Sequence, residues 1–221
     1  MKKNVLLYSH ELKTGGAPAV LCEMGKILKK KYNVVVLSPS DGMMRQQFEQ
    51  NGIEVIISGE ITDLLRNVII QEFEFIVANT TLALPIVIKL AGKIPIYWWI
   101  HENTPAYEGR CGMIEYYQFA ARYAKIFSAG HVAADNFYHF YKIKTEILEF
   151  GLQDNYTAEK DIRKHESINI ICPSTVCELK GQDILVQAIR RMDAGLRDRC
   201  RFIFLGKLRN DNIKEYRMIE K

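Results

Sequence analysis

Short apolar runs alternate with amphipathic stretches along most of the 221-residue chain. The runs are rich in Val, Ile and Leu, whereas the stretches between them carry apolar residues at helical spacing, as Val20, Met24 and Ile27 do. Continuous apolar strands that alternate with helices are typical of a parallel sheet covered on both faces. The pattern therefore predicts the α/β fold class, with a doubly wound parallel sheet.

The predicted strands and helices follow one another in alternation up to about residue 150. The strands are expected at Val5–Tyr8, Val34–Leu37, Ile53–Ile57, Phe75–Ala78, Ile94–Ile100, Ile126–Ser128 and Glu146–Phe150. The helices between them are expected at Ala17–Lys31, Asp41–Gln50, Thr62–Gln71, Leu82–Leu90, Met113–Tyr123 and Val132–Phe140.

The alternation stops near Gly151, where a polar segment without an apolar period begins. It restarts with a strand at Ile168–Cys172, a helix at Asp183–Met192 and a strand at Arg201–Leu205, and a last helix is expected at Asp211–Glu220. Two strands are too few to close a sheet of their own. We therefore expect a first domain at 1–152, a linker at 153–166 and the truncated beginning of a second α/β domain at 167–221.

Composition and charge exclude several classes of protein. The chain is 48% hydrophobic and 25% charged, as globular proteins are, and its net charge of +4 is too small to indicate nucleic-acid binding. Its five cysteines lack zinc-site or redox spacing, and the first apolar run is too short for a signal peptide or a membrane span. These features predict a cytoplasmic protein. The basic run 26–31 could also contact the inner face of an anionic membrane.

The first loop with candidate chemistry follows the first predicted strand and contains Thr14, Gly15 and Gly16. Ligands of open parallel sheets bind at the carboxyl ends of the strands. Glycines allow close approach of the backbone, and the helix that follows offers free N–H groups to an anion. An ordinary strand–helix turn explains the loop equally well. The dinucleotide-binding fingerprint is absent, so an unrelated dinucleotide-binding protein is a weaker alternative.

Two further loops carry candidate residues. An apolar strand leads to His101 and Glu102, where the imidazole could donate to a sugar hydroxyl or a phosphate, and the carboxylate could orient it or bind acceptor hydroxyls. Lys180 and Gly181 stand just before a predicted helix, a suitable place for a diphosphate. A structural histidine at a strand end and a solvated loop lysine are the alternatives for these loops taken singly.

In this order the loops resemble those of the retaining nucleotide-sugar glycosyltransferases of the GT-B fold, glycosyltransferase family 4, which have a Rossmann-like N-terminal domain. The matching stretches share their place after a strand or at the domain crossing. They are the Gly15-Gly16 loop, Ala78-Asn79-Thr80-Thr81, Trp99-Ile100-His101-Glu102, Phe150-Gly151 and Glu178-Leu179-Lys180-Gly181-Gln182-Asp183.

The resemblance implies roles for these positions. His101 would lie near the donor sugar and Lys180 would stabilise the leaving phosphates, so these two are the catalytic candidates. The substrate-binding candidates are Thr14, Gly15, Gly16, Asn79, Glu102 and Gly181. No metal and no cofactor are expected, because lysine and helix dipoles offset the leaving-group charge.

Two stretches differ from the family's pattern. Many members have a glycine–arginine pair before the lysine, where this chain has Ser174-Thr175-Val176, so one diphosphate contact is unmatched. The family's pair of glutamates seven apart lies downstream of Lys221, so we expect the donor site to be incomplete and the 221-residue chain alone to be inactive.

The implied function is transfer of a sugar from a nucleotide-diphosphate sugar to a carbohydrate or lipid-linked acceptor, with retention of configuration, as part of polysaccharide biosynthesis. The alternative is a catalytically inactive binding or partner protein that keeps the acceptor-side domain. The incomplete second unit could also form an oligomer through its uncovered strand edge.

Overall fold

The computed structural model describes residues 2–102, 111–151, 167–177 and 180–206. The chain divides into two compact units, Met1–Asp154 and Asn155–Lys221. The predicted linker at 153–166 and the predicted helix at Asp211–Glu220 lie outside the described residues. Each unit is described below by itself.

The first unit alternates strands and helices along its whole length. Its strands are Asn4–Ser9 (β1), Asn33–Ser38 (β2), Glu54–Ile57 (β3), Phe73–Asn79 (β4), Ile96–Ile100 (β5), Ala124–Ser128 (β6) and Glu146–Ile147 (β7). Its α-helices are Gly16–Leu28 (α1), Met44–Gln50 (α2), Asp63–Glu72 (α3), Leu84–Lys89 (α4), Ile114–Ala120 (α5) and His131–Tyr141 (α6).

The strands form one sheet of seven in the order β3-β2-β1-β4-β5-β6-β7, and every neighbouring pair is parallel. The chain runs outward from β1 to β3, then crosses back to β4 and runs outward in the other direction to β7. The predicted doubly wound α/β fold is therefore confirmed. The direction reverses between β1 and β4, which lie side by side with Ser9 opposite Asn79 at their carboxyl ends.

Alternate residues of β1 show that both faces of the sheet are covered. Leu6 and Tyr8 belong to one hydrophobic core, and Val5 and Leu7 belong to the other. The first core also contains the fully buried Trp98 of β5. Its indole stacks on Tyr117 at 5.6 Å between ring centroids, which fixes the carboxyl half of β5 against helix α5.

Several element boundaries differ from the sequence expectation. The strand expected from Ile94 begins only at Ile96, because Pro95 has no N–H to donate to a ladder. The strand expected to reach Phe150 ends at Ile147, because its neighbour β6 ends at Ser128 and leaves it no partner. The helix expected from Leu82 to Leu90 is a 3-10 turn at Thr81–Ala83 followed by the shorter α4.

The described part of the second unit contains two parallel strands, Ile168–Pro173 (β8) and Cys200–Leu205 (β9). Between them lie two helices, Gln182–Arg191 (α7) and Ala194–Arg197 (α8). The helix α8 was not predicted from the sequence. It is a single turn that starts where the Asp193 side chain accepts a hydrogen bond from the Leu196 N–H at 3.2 Å.

Candidate functional site

The candidate residues of the first unit come from three loops at the carboxyl edge of its sheet. Gly15 and Gly16 follow β1, Asn79 is the last residue of β4, and His101 and Glu102 follow β5. Open α/β sheets bind ligands at this edge, in the crevice where the strand order reverses. The reversal between β1 and β4 therefore marks the place where these loops would bind a ligand.

A chain of hydrogen bonds joins the three loops. The imidazole Nε2 of His101 lies 2.8 Å from the Asn79 Oδ1, and the Asn79 Nδ2 donates to the Ala17 carbonyl at 2.9 Å. Asn79 is fully buried. The structure thus brings the predicted His101 and Asn79 together with the first turn of α1, directly beside Gly15 and Gly16.

The glycine loop presents an uncapped helix start. Gly15 is the N-cap of α1 with an extended φ of −173°, and neither a capping side chain nor an acidic residue occupies the first turn. The helix therefore offers free N–H groups and the positive end of its dipole. A Cβ built on Gly16 would meet no atom within 4 Å. Local packing does not require glycine there, which is consistent with a position kept open for a ligand.

Thr14, the remaining candidate of this loop, is exposed. Its hydroxyl contacts the Met43 sulfur at 3.8 Å. The structure shows no bond from it to Asn79 or His101, so its predicted part in substrate binding rests on its place in the loop.

Glu102 ties the ends of β4 and β5 together. Its Oε1 accepts hydrogen bonds from the backbone N–H of Thr81 at 2.7 Å and from the Thr81 hydroxyl at 2.8 Å. Its Oε2 accepts from the backbone N–H of His101 at 3.0 Å. The carboxylate therefore holds the backbone at the ends of both β4 and β5, which positions His101 through its main chain.

We expect Glu102→Gln to destabilise the protein by about 1–3 kcal/mol, because the new amide places a donor where backbone donors already point. The check is urea unfolding of the variant against the wild type. Glu54→Gln, at an exposed position of β3, is the matched control. A loss no larger than that of the control would show that the Glu102 carboxylate does not hold the two strand ends.

Thr80 adopts a backbone conformation that side chains with a branched Cβ rarely accept, with φ 73° and ψ 165°. Its N–H donates to the Trp99 carbonyl at 2.8 Å, and its carbonyl accepts from the Trp98 indole at 2.6 Å. Its hydroxyl lies 3.0 Å from Nδ1 of His10. These contacts hold the strained residue between Asn79 and Thr81, and sequence analysis did not single out Thr80 or His10 for the site.

The imidazole of His101 lies between aromatic rings. The centroid of Trp99 is 4.5 Å away and that of Phe150 is 6.5 Å away. Burial among these groups lowers the pKa of His101, and the nearby Glu102 carboxylate opposes this only in part. Because the ordinary pKa of histidine is about 6.5, the imidazole of His101 is neutral at physiological pH.

This shift makes folding stability depend on pH. The unfolded chain keeps the ordinary histidine pKa, so between the two pKa values it binds more protons than the folded protein does. We expect the free energy of unfolding of the wild type to fall, relative to that of His101→Gln, as the pH is lowered from about 7.5 to about 5.5. Urea titrations across this range measure it, and a constant difference between the two proteins would contradict the neutral imidazole.

In the second unit, Lys180 and Gly181 stand before α7. Lys180 is exposed, and Gly181 is the N-cap with a left-handed φ of 69°, which favours glycine. The buried Gln182 donates to the Ser174 hydroxyl at 2.7 Å and to the Thr175 carbonyl at 3.0 Å, and so fixes the loop after β8. Gln182 belongs to the lysine–glycine stretch of the sequence, but its positioning role was not predicted.

The described residues contain neither a metal-binding cluster nor a helix that could span a membrane. No group of three His, Cys, Asp or Glu side chains in that part of the chain could hold a metal ion. Among the same residues, no helix has both the length and the apolar character needed to cross a membrane.

An apolar groove of about 410 Å³ lies beside α1 on the first unit. Its walls include Met24 of α1, Phe75 and Tyr97 of the sheet, and Phe150. The candidate residues of the three loops do not line it. It adjoins the candidate site, because Trp99 and Phe150 line the groove and also flank the imidazole of His101.

Most of the first unit matches a known protein family. Residues 1–139 match the family model described as glycosyl-transferase family 4. The chain belongs to this family. The resemblance to glycosyltransferase family 4 is therefore confirmed, on a match that covers the three loops of the first unit. A search of curated proteins gave no significant match.

Several solved structures share the fold of the family 4 chain. Alr3699/HepE from Anabaena, crystallised with UDP and glucose, superposes with a TM-score of 0.79 at 21% identity over 98% of this chain. A glycosyltransferase from Rickettsia africae superposes with a TM-score of 0.64 at 15% identity. The match covers 99% of this chain and 71% of the Rickettsia chain. WaaG, a glycosyltransferase involved in lipopolysaccharide biosynthesis, superposes with a TM-score of 0.62 at 12% identity. The match covers 97% of this chain and 67% of the WaaG chain. The family 4 chain spans 65% of the length of HepE.

Proposed function

We propose that the protein acts in the transfer of a sugar from a nucleotide-diphosphate sugar to a carbohydrate or lipid-linked acceptor, with retention of the anomeric configuration. One observation carries the proposal: in a family 4 chain, an uncapped helix start, a buried Asn79 and a neutral His101 meet where the strand order of the sheet reverses. This arrangement suits a ligand with a negative diphosphate next to polar sugar hydroxyls.

Each group has a part in the proposed reaction. The N–H groups at the start of α1 would bind the diphosphate, and His101 would contact the donor sugar. Lys180 would stabilise the charge that develops on the leaving phosphates, which is electrostatic catalysis by a preorganised group. The proposed reaction needs neither a metal nor a cofactor, because lysine and the helix dipole offset that charge.

UDP-glucose is the donor with which to begin. Alr3699/HepE was crystallised with UDP-glucose as well as with UDP and glucose, and it has the same fold as this chain. A panel of donors identifies the nucleotide and the sugar of the present protein.

Membrane contact and self-association are further proposals. Within the basic run, Lys26 forms an ion pair with Glu23 at 2.6 Å, whereas the neighbouring Ile27 is 62% exposed. A basic helix end with an exposed apolar residue suits a peripheral contact with an anionic membrane at the cytoplasmic face. In the second unit, Ile171 of β8 and Leu205 of β9 are exposed, which suits an oligomer formed through that unit.

The test combines binding with product analysis. Calorimetric titration with UDP-glucose, GDP-mannose and UDP alone identifies the donor, and NMR coupling constants of the transferred sugar identify its configuration. We expect binding of one sugar nucleotide and, in a form of the protein that transfers sugar, a product with the configuration of the donor. An inverted product would refute retention. A longer form of the protein that contains the family's glutamate pair and binds the donor without any transfer would favour the non-catalytic alternative.

A further inference from the structure

The side chain of Asn79 has only one orientation that satisfies both of its neighbours. The Ala17 carbonyl, 2.9 Å away, can only accept a hydrogen bond, so the amide nitrogen of Asn79 must face it. The amide oxygen is then the atom that lies 2.8 Å from Nε2 of His101. The assignment follows from the chemistry of the backbone carbonyl and does not depend on how an amide is placed in a structure.

The amide oxygen in turn fixes the histidine. An amide oxygen only accepts, so Nε2 of His101 must carry the hydrogen, and in a neutral imidazole the lone pair is then on Nδ1. Within the described residues Nδ1 has no hydrogen-bond partner, and it is not among the fully buried polar atoms without one. An acceptor atom of His101 is therefore left for a ligand.

Asn79 is held rigidly enough to do this. It is the last residue of β4 and lies opposite Ser9 of β1 on one side and Trp99 of β5 on the other. Its side chain is fully buried. Because both neighbouring strands fix its backbone, the amide has little freedom to turn away from His101.

We propose that Asn79 is a positioning residue, which keeps His101 as the Nε2–H tautomer so that Nδ1 accepts a hydrogen bond from a hydroxyl of the sugar. The bond from a sugar hydroxyl to Nδ1 rests on the proposed function, whereas the tautomer follows from the contacts within this chain. A lone pair on Nδ1 attracts a hydroxyl and repels a phosphate oxygen, since two acceptors cannot share a hydrogen bond. Of the two ligands that the sequence left open for His101, the structure therefore favours the sugar over the phosphate.

The experiment observes the imidazole directly and needs no activity. The 221-residue chain is labelled with ¹⁵N-histidine, and correlation spectra through the ring protons at about pH 7.5 give the protonation of each ring nitrogen. His101→Gln identifies the His101 signals. We expect a protonated Nε2 and an unprotonated Nδ1 for His101 in the wild type.

Variants of Asn79 separate positioning from packing. Asn79→Ala should convert the single tautomer of His101 into a mixture, and Asn79→Asp should raise the pKa of His101 by about one unit or more, because a carboxylate beside it favours the imidazolium. Asn33→Ala is the matched control, because it removes another side-chain amide that bonds a backbone carbonyl, at the opposite edge of the sheet. It should leave the His101 signals unchanged.

Several results would overturn the proposal. A protonated Nδ1 in the wild type would refute it at once, even if no Asn79 variant folds. An unchanged tautomer in a folded Asn79→Ala would show that Asn79 does not set it. Adding UDP-glucose should shift the His101 Nδ1 signal more than adding UDP does. Equal shifts would refute the contact between Nδ1 and a sugar hydroxyl. The tautomer of His101 would still be established, because its measurement does not depend on the proposed function.

Discussion

Lys180→Ala should lower the rate of sugar transfer by roughly 10- to 1000-fold in a form of the protein that transfers sugar, by analogy with other preorganised charged groups. Lys180 is exposed and directly precedes Gly181 and the start of α7. The charge of Lys180 and the positive end of the α7 dipole would act on the same leaving phosphates. The loss should appear mainly in kcat, because the charge on the phosphates grows as the bond to the sugar breaks.

Two further variants make the Lys180 result specific. Lys180→Arg should recover only part of the rate, because a planar guanidinium does not replace a point charge. Lys93→Ala removes another exposed lysine, next to the start of β5 and away from the candidate loops, and should leave the rate unchanged. Equal rates in Lys180→Ala and the wild type would mean that Lys180 is a solvated loop residue.

Gly16→Ala should weaken the binding of the sugar nucleotide by about 10- to 100-fold, since forcing an extra methyl group into a filled contact costs about 1–3 kcal/mol. The same change should not harm folding. The added Cβ meets no protein atom within 4 Å, and alanine at a compatible position stabilises a protein by up to about 1 kcal/mol. Calorimetric titration with UDP-glucose and thermal unfolding measure the two effects.

Gly130→Ala is the matched control for Gly16→Ala. Gly130 also stands at the start of a helix, with an extended φ of 172°, and a Cβ there would likewise meet nothing within 4 Å. It follows β6, away from the reversal between β1 and β4. If both variants bind the donor as the wild type does, the glycine loop does not approach the diphosphate.

The sequence was sufficient to predict the α/β fold, because buried parallel strands are continuous apolar runs and the helices between them carry apolar residues at helical spacing. Both patterns can be recognised within each local segment. Element ends were predicted less well where they depend on distant partners. The end of β7 is set by the end of β6 at Ser128, and the sequence of residues 146–150 alone does not show that this partner strand stops there. The single turn of α8 carried a local signal, the cap residue Asp193, that was overlooked.

The loops of the site could be predicted from the sequence, but the hydrogen bonds between them could not. Gly15, Asn79 and His101 could be placed at one edge because each follows or ends a strand. The bond from Asn79 to Ala17 joins residues 62 positions apart, and the bond from Thr80 to His10 joins residues 70 positions apart. Such contacts exist only once the strand order is known. The strained backbone of Thr80 likewise has no signature in a stretch of two threonines.

The most direct test of the central claim is to map where a sugar nucleotide binds. Backbone amide NMR spectra of the ¹⁵N-labelled chain are recorded as UDP-glucose is added, a method that detects weak binding as well as strong binding. We expect the amide signals of Gly15, Gly16, Ala17 and His101 to shift together with a single affinity. Shifts confined to the apolar groove around Met24 and Tyr97, or to the opposite edge of the sheet at Asn4 and Asn33, would contradict a donor site at the reversal between β1 and β4.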